Sequence, residues 1–192
     1  MAIKRTVIIL IAYCFFLTGF AQGKYFTRVG TVSFQASTDM EEVEGVNKTA
    51  LAIFDSATGQ LEFALLIKGF EFKNALMQDH FNENYMESSK YPKALFKGQI
   101  LHIDSIQFKK TGFYPVTVTG TLQLHGVTKD IEMPCMFRVL NDETLTSELE
   151  LSIELRDYKI SVPRIVKDKI APTVKIQVYC SYEVLIVPPP TQ

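Results

Sequence analysis

Two neighbouring segments of the chain alternate apolar and polar residues with the two-residue period of a β-strand. The first runs from Tyr114 to Leu124, where its apolar positions alternate with threonine and glutamine. After a turn at His125-Gly126-Val127-Thr128-Lys129, the second has apolar residues at every odd position from Ile131 to Val139. This pattern predicts a β-hairpin with one polar, solvent-exposed face and one apolar face. The apolar face must pack against an interior.

The rest of the chain predicts six further short strands separated by turn residues. Their ranges are Tyr25–Ala36, Thr49–Asp55, Gln60–Phe72, Ala94–Ile103, Leu145–Leu155 and Val174–Val187. Eight sequential antiparallel strands with one apolar face form either a sandwich or a closed barrel. We favour the barrel because closure leaves no exposed strand edge. A barrel of eight strands is either filled by side chains or wide enough for one small ligand.

One segment between the third and fourth strands has the period of a helix instead. Asn74 is a typical N-cap residue, and Met77, Phe81 and Tyr85 recur every four residues, as on one helix face. Pro92 stops any continuation of that helix. The sequence therefore predicts an all-β protein, an eight-stranded antiparallel barrel with a short helix between strands three and four.

The first 21 residues predict a secretory signal peptide. Lys4 and Arg5 precede an uncharged apolar run of about 14 residues, short of the ~20 that span a bilayer. We expect cleavage after Ala21, which leaves no stable membrane anchor; the alternative is an uncleaved anchor. The mature chain then has one barrel domain over residues 22–187 and a proline-rich tail over residues 188–192.

The charge of the chain does not indicate nucleic-acid binding, because the net charge is not positive. Removing the signal takes away two of the 20 basic residues and none of the 21 acidic ones, so the formal charge moves from −1 to −3. Basic residues are concentrated between Arg156 and Lys169, with two aspartates among them. This stretch is a candidate for binding a phosphate or another anionic head group at the barrel mouth.

The cysteines and histidines give no catalytic or metal-binding pattern. Cys135 and Cys180 both fall on apolar strand faces, and either two buried thiols or a disulfide fits a compartment that permits bridges. His80, His102 and His125 lie far apart, and we expect His125 to hold its own turn by a hydrogen bond. No nucleophile elbow, Walker loop or dinucleotide motif is present. We expect no cofactor, no metal and no enzymatic activity.

Three segments resemble the YceI-like family of bacterial periplasmic proteins. The His125-Gly126-Val127-Thr128-Lys129 run is similar to the family's most distinctive motif, at the end of a strand. Tyr85–Phe96 resembles the segment after the family's helix, which leads through Tyr-Pro into a strand carrying a Phe. Arg156–Ile160 gives weaker support, with Lys159 where the family usually has Gly, and Met86 replaces a usual Phe.

The resemblance implies a lipocalin-like barrel, periplasmic or secreted, that holds a polyisoprenoid or similar amphiphile in its interior. Burial of apolar area contributes about 25 cal/mol per Å², so a long hydrocarbon needs no precisely placed polar group. The candidate ligand-binding residues are the inward strand positions and the apolar helix face. They are Phe34, Phe63, Leu65, Met77, Phe81, Tyr85, Phe96, Ile100, Val118, Leu122, Phe137, Leu151 and Val178.

Two other functions fit the same pattern. A structural or interaction module would have a filled barrel without a cavity, sealed by the helix as ordinary core. A lipid-modifying enzyme would need clustered ionisable groups inside the barrel. The sequence leaves open which lipid is bound, whether it is carried, stored or sensed, and whether the protein forms a homodimer.

Overall fold

Eight antiparallel strands form a closed barrel in sequence order. The computed structural model describes residues 23–38, 41–141, 144–163 and 169–185. The predicted signal peptide and the tail over residues 188–192 lie outside these residues. Each strand pairs with its sequence neighbour, and the first also pairs with the eighth, which closes the barrel. The predicted fold class is confirmed.

The strand bounds follow the predicted alternation with shifts at several ends. The third predicted strand, Gln60–Phe72, ends at Leu66 because the buried Asn47 side chain donates to the Leu66 carbonyl at 2.9 Å, and a 3₁₀ turn over Ile67–Gly69 follows. The second strand starts earlier than Thr49, and the end of the predicted eighth strand lies outside the described residues. The strands are β1 (Lys24–Gln35), β2 (Glu44–Asp55), β3 (Gln60–Leu66), β4 (Lys93–Ile100), β5 (Gly112–Leu124), β6 (Val127–Val139), β7 (Thr144–Glu154) and β8 (Thr173–Val184).

Strand β1 contains an irregularity that the alternation does not predict. The register with β2 shifts on both sides of Gly30, so the inward parity changes from that of Tyr25 and Thr27 to that of Val32. A Cβ at Gly30 would lie 3.1 Å from both the Ala50 carbonyl oxygen and the Cys180 Sγ atom. The same shift turns Val29 outward, where it is 71% exposed.

A short helix, α1 (Ala75–His80), covers one end of the barrel. The Asn74 side chain accepts a hydrogen bond from the Leu76 amide at 2.9 Å, which confirms the predicted N-cap. The helix is shorter than the four-residue repeat indicates, because residues Phe81–Tyr85 form one wider π-helical turn. Among the described residues, no helix is long and apolar enough to cross a membrane.

The barrel interior contains two apolar clusters, one towards each end. At the end opposite α1, Phe54 and Phe137 are fully buried, and Ile106 and Phe108 from the β4–β5 connection close the barrel over them. We call this the closed end. At the other end, which we call the helix end, Ile67 and Phe70 pack beneath α1 with residues of the β7–β8 connection.

Candidate functional site

A cavity of ≈ 450 Å³ lies inside the barrel between the two clusters. This volume falls in the ~300–1,000 Å³ range of small-molecule sites. Aliphatic and aromatic side chains form most of its wall. The charged side chains of Glu41 and Lys169 and the imidazole of His80 also line it, all on connections or on α1 at the helix end. The cavity therefore has an apolar interior and a charged rim.

The structure brings ten of the thirteen predicted site residues to the cavity. They are Phe34, Phe63, Leu65, Met77, Phe81, Tyr85, Phe96, Leu122, Leu151 and Val178. The other three, Ile100, Val118 and Phe137, do not line it, because they are buried in the packed cluster at the closed end. Strand parity places a side chain inside the barrel but does not tell at which level along the axis it lies. The role of the ten in binding stays a prediction.

Several lining residues were missed from the sequence. Ile176 shares the inward parity of Val178, so the alternation of β8 contained the signal needed to find it. Ile160 and Ile170 also line the cavity, but they belong to the β7–β8 connection, which has no strand or helix period. Only the folded chain shows that this connection lies against the cavity.

Phe81 anchors the end of α1 to the barrel through an aromatic cluster. Its ring stacks on Phe34 of β1 at 5.3 Å between centroids. It also contacts Phe70 at 5.4 Å and Phe72 at 4.9 Å. Such pairs contribute roughly 0.5–1.5 kcal/mol each beyond their buried area. The helix is thus held over the cavity by ring contacts that also form part of its wall.

Ion pairs occupy the rim and the predicted anion-binding stretch. Lys169 Nζ lies 3.2 Å from a Glu41 carboxylate oxygen, which joins the β7–β8 and β1–β2 connections across the cavity rim. Arg156 faces Glu154 at 3.9 Å. Residues 164–168 of this stretch lie outside the described residues. Binding of an anionic head group here stays a prediction.

Four polar side chains line the cavity near the closed end. The Ser147 hydroxyl donates to the Tyr182 hydroxyl at 3.2 Å, and both residues are buried. Cys135 and Cys180 lie beside them as two free buried thiols, so of the two cysteine states left open by the sequence the structure has the reduced one. Burial raises the pKa of Cys135 to about 12 and that of Cys180 to about 11. Burial also raises the pKa of Tyr182, and all three groups are neutral at physiological pH.

These raised pKa values predict a loss of stability in alkali. The two thiols ionise near pH 9 in the unfolded chain but only near pH 11–12 in the folded one. Their contribution to the free energy of unfolding is therefore complete below pH 9 and is lost as the pH rises from 9 to 11–12. We expect the free energy of unfolding to fall by at most about 1.4 kcal/mol per pH unit for each group. Urea denaturation from pH 8 to pH 11 measures this slope.

A double variant, Cys135→Ala with Cys180→Ala, should flatten that decline. Ser152→Ala, an exposed substitution on β7, should leave the slope unchanged and serves as the control. An identical slope in the double variant would show that the thiols do not ionise on unfolding as proposed.

His125 joins three connections at the helix end. Its Nδ1 lies 3.0 Å from the Tyr158 carbonyl oxygen, and its Nε2 lies 3.0 Å from a Glu87 carboxylate oxygen. The ring holds the turn by hydrogen bonds, as predicted, but the partners lie outside the turn, in the β7–β8 connection and in the segment after α1. Within the β5–β6 turn, His125 and Gly126 have positive φ angles, as in a two-residue hairpin turn.

Among the described residues, no group of three or more His, Cys, Asp or Glu side chains is placed to hold a metal ion.

Comparison with known proteins identifies the family. A family model for the YceI-like domain matches residues 26–182. The chain belongs to the YceI-like family. No curated protein matches it.

Solved structures similar to this YceI-like chain share its fold at low identity. A polyisoprenoid-binding domain from Saccharophagus degradans, implicated in plant cell wall breakdown, has a TM-score of 0.73 and 14% identity over 84% of this chain and 98% of that one. Burkholderia cenocepacia BcnA has a TM-score of 0.64 and 20% identity over 80% of this chain and 95% of that one. At these identities the comparison shows a shared barrel architecture.

The departure from the YceI-like pattern at Lys159 has a measurable consequence. Lys159 follows the 3₁₀ turn Leu155–Tyr158 in the left-handed conformation, with φ of 56°. A side chain in this conformation costs roughly 1–2 kcal/mol, part of which is offset by the flexibility that glycine adds to the unfolded chain. We expect Lys159→Gly to raise the free energy of unfolding by about 0.5–1 kcal/mol.

Chemical denaturation of Lys159→Gly beside Lys175→Gly measures this effect. Lys175 is exposed within β8, where glycine should destabilise the protein. A loss of stability in both variants would contradict the interpretation of position 159.

Proposed function

We propose that this protein binds a polyisoprenoid or similar amphiphile inside its barrel, as a periplasmic or secreted lipid-binding protein without catalytic activity. The observation that carries the proposal is the apolar cavity of ≈ 450 Å³ with its charged rim at the helix end. Membership of the YceI-like family supports it. So does the fold shared with a polyisoprenoid-binding domain.

The wall chemistry favours a long hydrocarbon chain. Each methylene moved from water into an apolar site contributes about 0.8 kcal/mol, so affinity accumulates along a chain without directed polar contacts. Phe63, Leu122, Leu151 and Val178 pack against both apolar clusters and form the wall at the middle of the barrel. A chain that enters at the helix end would lie along these side chains.

The chemistry of the polar groups inside the barrel favours binding over catalysis. A nucleophilic cysteine needs a lowered pKa, and burial raises the pKa of both thiols instead. The alternative of a filled structural barrel expects no cavity, and the cavity argues for a ligand. These two observations lead us to prefer a binding protein to an enzyme or a structural module.

Uptake of a labelled polyprenol by delipidated protein tests the binding proposal. We expect saturation at about one molecule per chain and competition by other long-chain isoprenoids but not by short-chain alcohols. A folded protein that takes up no polyprenol or other long-chain amphiphile would overturn it.

The proposed location is tested separately, because it is supported by the pattern of residues 1–21 and by the family resemblance, and not by the cavity. Expression in a bacterium and fractionation should place the protein in the periplasm, with a mass that corresponds to a chain beginning at Gln22. A full-length chain in the cytoplasm would contradict export without affecting the binding proposal.

A further inference from the structure

The cavity of this barrel ends on a pair of hydroxyl groups. Ser147 pairs across the ladders with Phe137 of β6 and Cys180 of β8. Phe137 is fully buried in the closed-end cluster, and the Tyr182 ring stacks on it at 6.4 Å between centroids. Both Ser147 and Tyr182 also line the cavity. Their hydroxyls therefore lie at the deep end, directly above the packed aromatic layer.

The hydroxyl pair keeps unused hydrogen-bonding capacity. Two hydroxyl groups together offer two hydrogens and four lone pairs, and their mutual bond uses one of each. That bond, at 3.2 Å, is longer than the usual 2.5–3.0 Å for an O–H···O contact. Cys180 lies opposite Ser147 in the β7–β8 ladder, and a thiol is a weak hydrogen-bonding partner. A ligand group could thus replace or extend weak contacts here.

The deep end is suited to an uncharged group and not to an ion. The charged side chains that line the cavity, Glu41 and Lys169, are confined to its rim, as is the imidazole of His80. The groups at the deep end are hydroxyls and thiols with 1–5% exposure, and nothing among them can neutralise a buried carboxylate or phosphate. A charged terminus would remain at the rim, whereas a neutral polar terminus finds partners at the deep end.

We propose that Ser147 and Tyr182 form a subsite for an uncharged hydrogen-bonding group, such as an alcohol or carbonyl, at the buried terminus of a long-chain ligand. This inference rests on the proposed lipid-binding function. It adds an orientation of the bound ligand, with the neutral polar group innermost. It also adds a ligand class, because chains with an uncharged polar terminus should bind more tightly than chains without one.

Three probes of equal chain length test the subsite on delipidated protein: hexadecanol, hexadecane and hexadecanoate. The variants are Ser147→Ala, Tyr182→Phe and their combination, with Ser152→Ala on the outer face of β7 as the matched control. Tyr182→Phe keeps the ring that packs on Phe54 and Phe137, and thermal unfolding verifies the fold of each variant. The readout is the preference for hexadecanol over hexadecane, compared between variant and wild type so that probe solubility cancels.

We expect the double variant to reduce that preference by about three- to tenfold, while its hexadecane binding stays at the wild-type level. Each single variant should show part of the loss and Ser152→Ala none. An unchanged preference in the double variant, with all chains still bound, would overturn the subsite and leave the binding function standing. Wild-type protein that takes up polyprenol but prefers none of the three chains would overturn the subsite alone. If it binds neither the three chains nor polyprenol, the proposed function fails, and the subsite fails with it.

Discussion

Replacing Val178 with tryptophan should abolish lipid binding while the barrel stays folded. Val178 faces the cavity from β8 and contacts both apolar clusters, so it lies between the rim and the deep end. An indole ring there would fill the passage that a chain must occupy. Overpacking of a filled core costs about 1–3 kcal/mol, but here the added ring enters existing space. We expect at least a tenfold loss of polyprenol affinity.

The matched control adds the same bulk on the other side of the strand. Gln177 is the neighbouring residue on β8 and is exposed on the outer face. Gln177→Trp should bind polyprenol as the wild type does, and both variants should unfold at similar denaturant concentrations. Equal binding by Val178→Trp and the wild type would show that the ligand does not occupy the cavity.

Truncation of Phe137 should destabilise the protein far more than truncation of Leu151. Phe137 is fully buried among Phe54 and Tyr182, so its removal leaves an empty space in a packed cluster and should cost about 3–5 kcal/mol. Leu151 is only partly buried because it already borders the cavity. Leu151→Ala should cost at most about 2 kcal/mol when no ligand is bound.

Urea denaturation of both variants, delipidated and then loaded with polyprenol, measures this difference. Ligand should stabilise Phe137→Ala and the wild type by the same increment, and it should stabilise Leu151→Ala less because a wall contact has been lost. Equal losses in the free energy of unfolding for Phe137→Ala and Leu151→Ala would mean that the closed end is no better packed than the cavity wall.

The comparison of Phe137 with Leu151 also shows how far the sequence alone determines the site. Both residues lie at inward positions of strands, and a two-residue period contains no information that separates them. The difference comes from the β4–β5 connection, which fills the closed end with Ile106 and Phe108. That segment has no strand period, so its effect on the interior appears only in the folded chain.

Other features could be predicted because they depend on local chemistry. Strand alternation predicted the eight strands, the need to avoid exposed strand edges favoured a barrel over a sandwich, and Asn74 predicted the start of α1. The hydrogen-bond partners of His125 could not be predicted, because Glu87 and Tyr158 are brought to it by two other connections. The bulge at Gly30 was also missed, since a one-residue shift leaves the local composition unchanged.

The most direct test of the account is mass spectrometry of an organic extract from the native protein. The protein would be purified without detergent from its own source, beside Val178→Trp prepared in the same way. The account predicts about one long-chain amphiphile per native chain, with an uncharged polar terminus, and none in the variant. Folded native protein that releases no lipid would contradict the account.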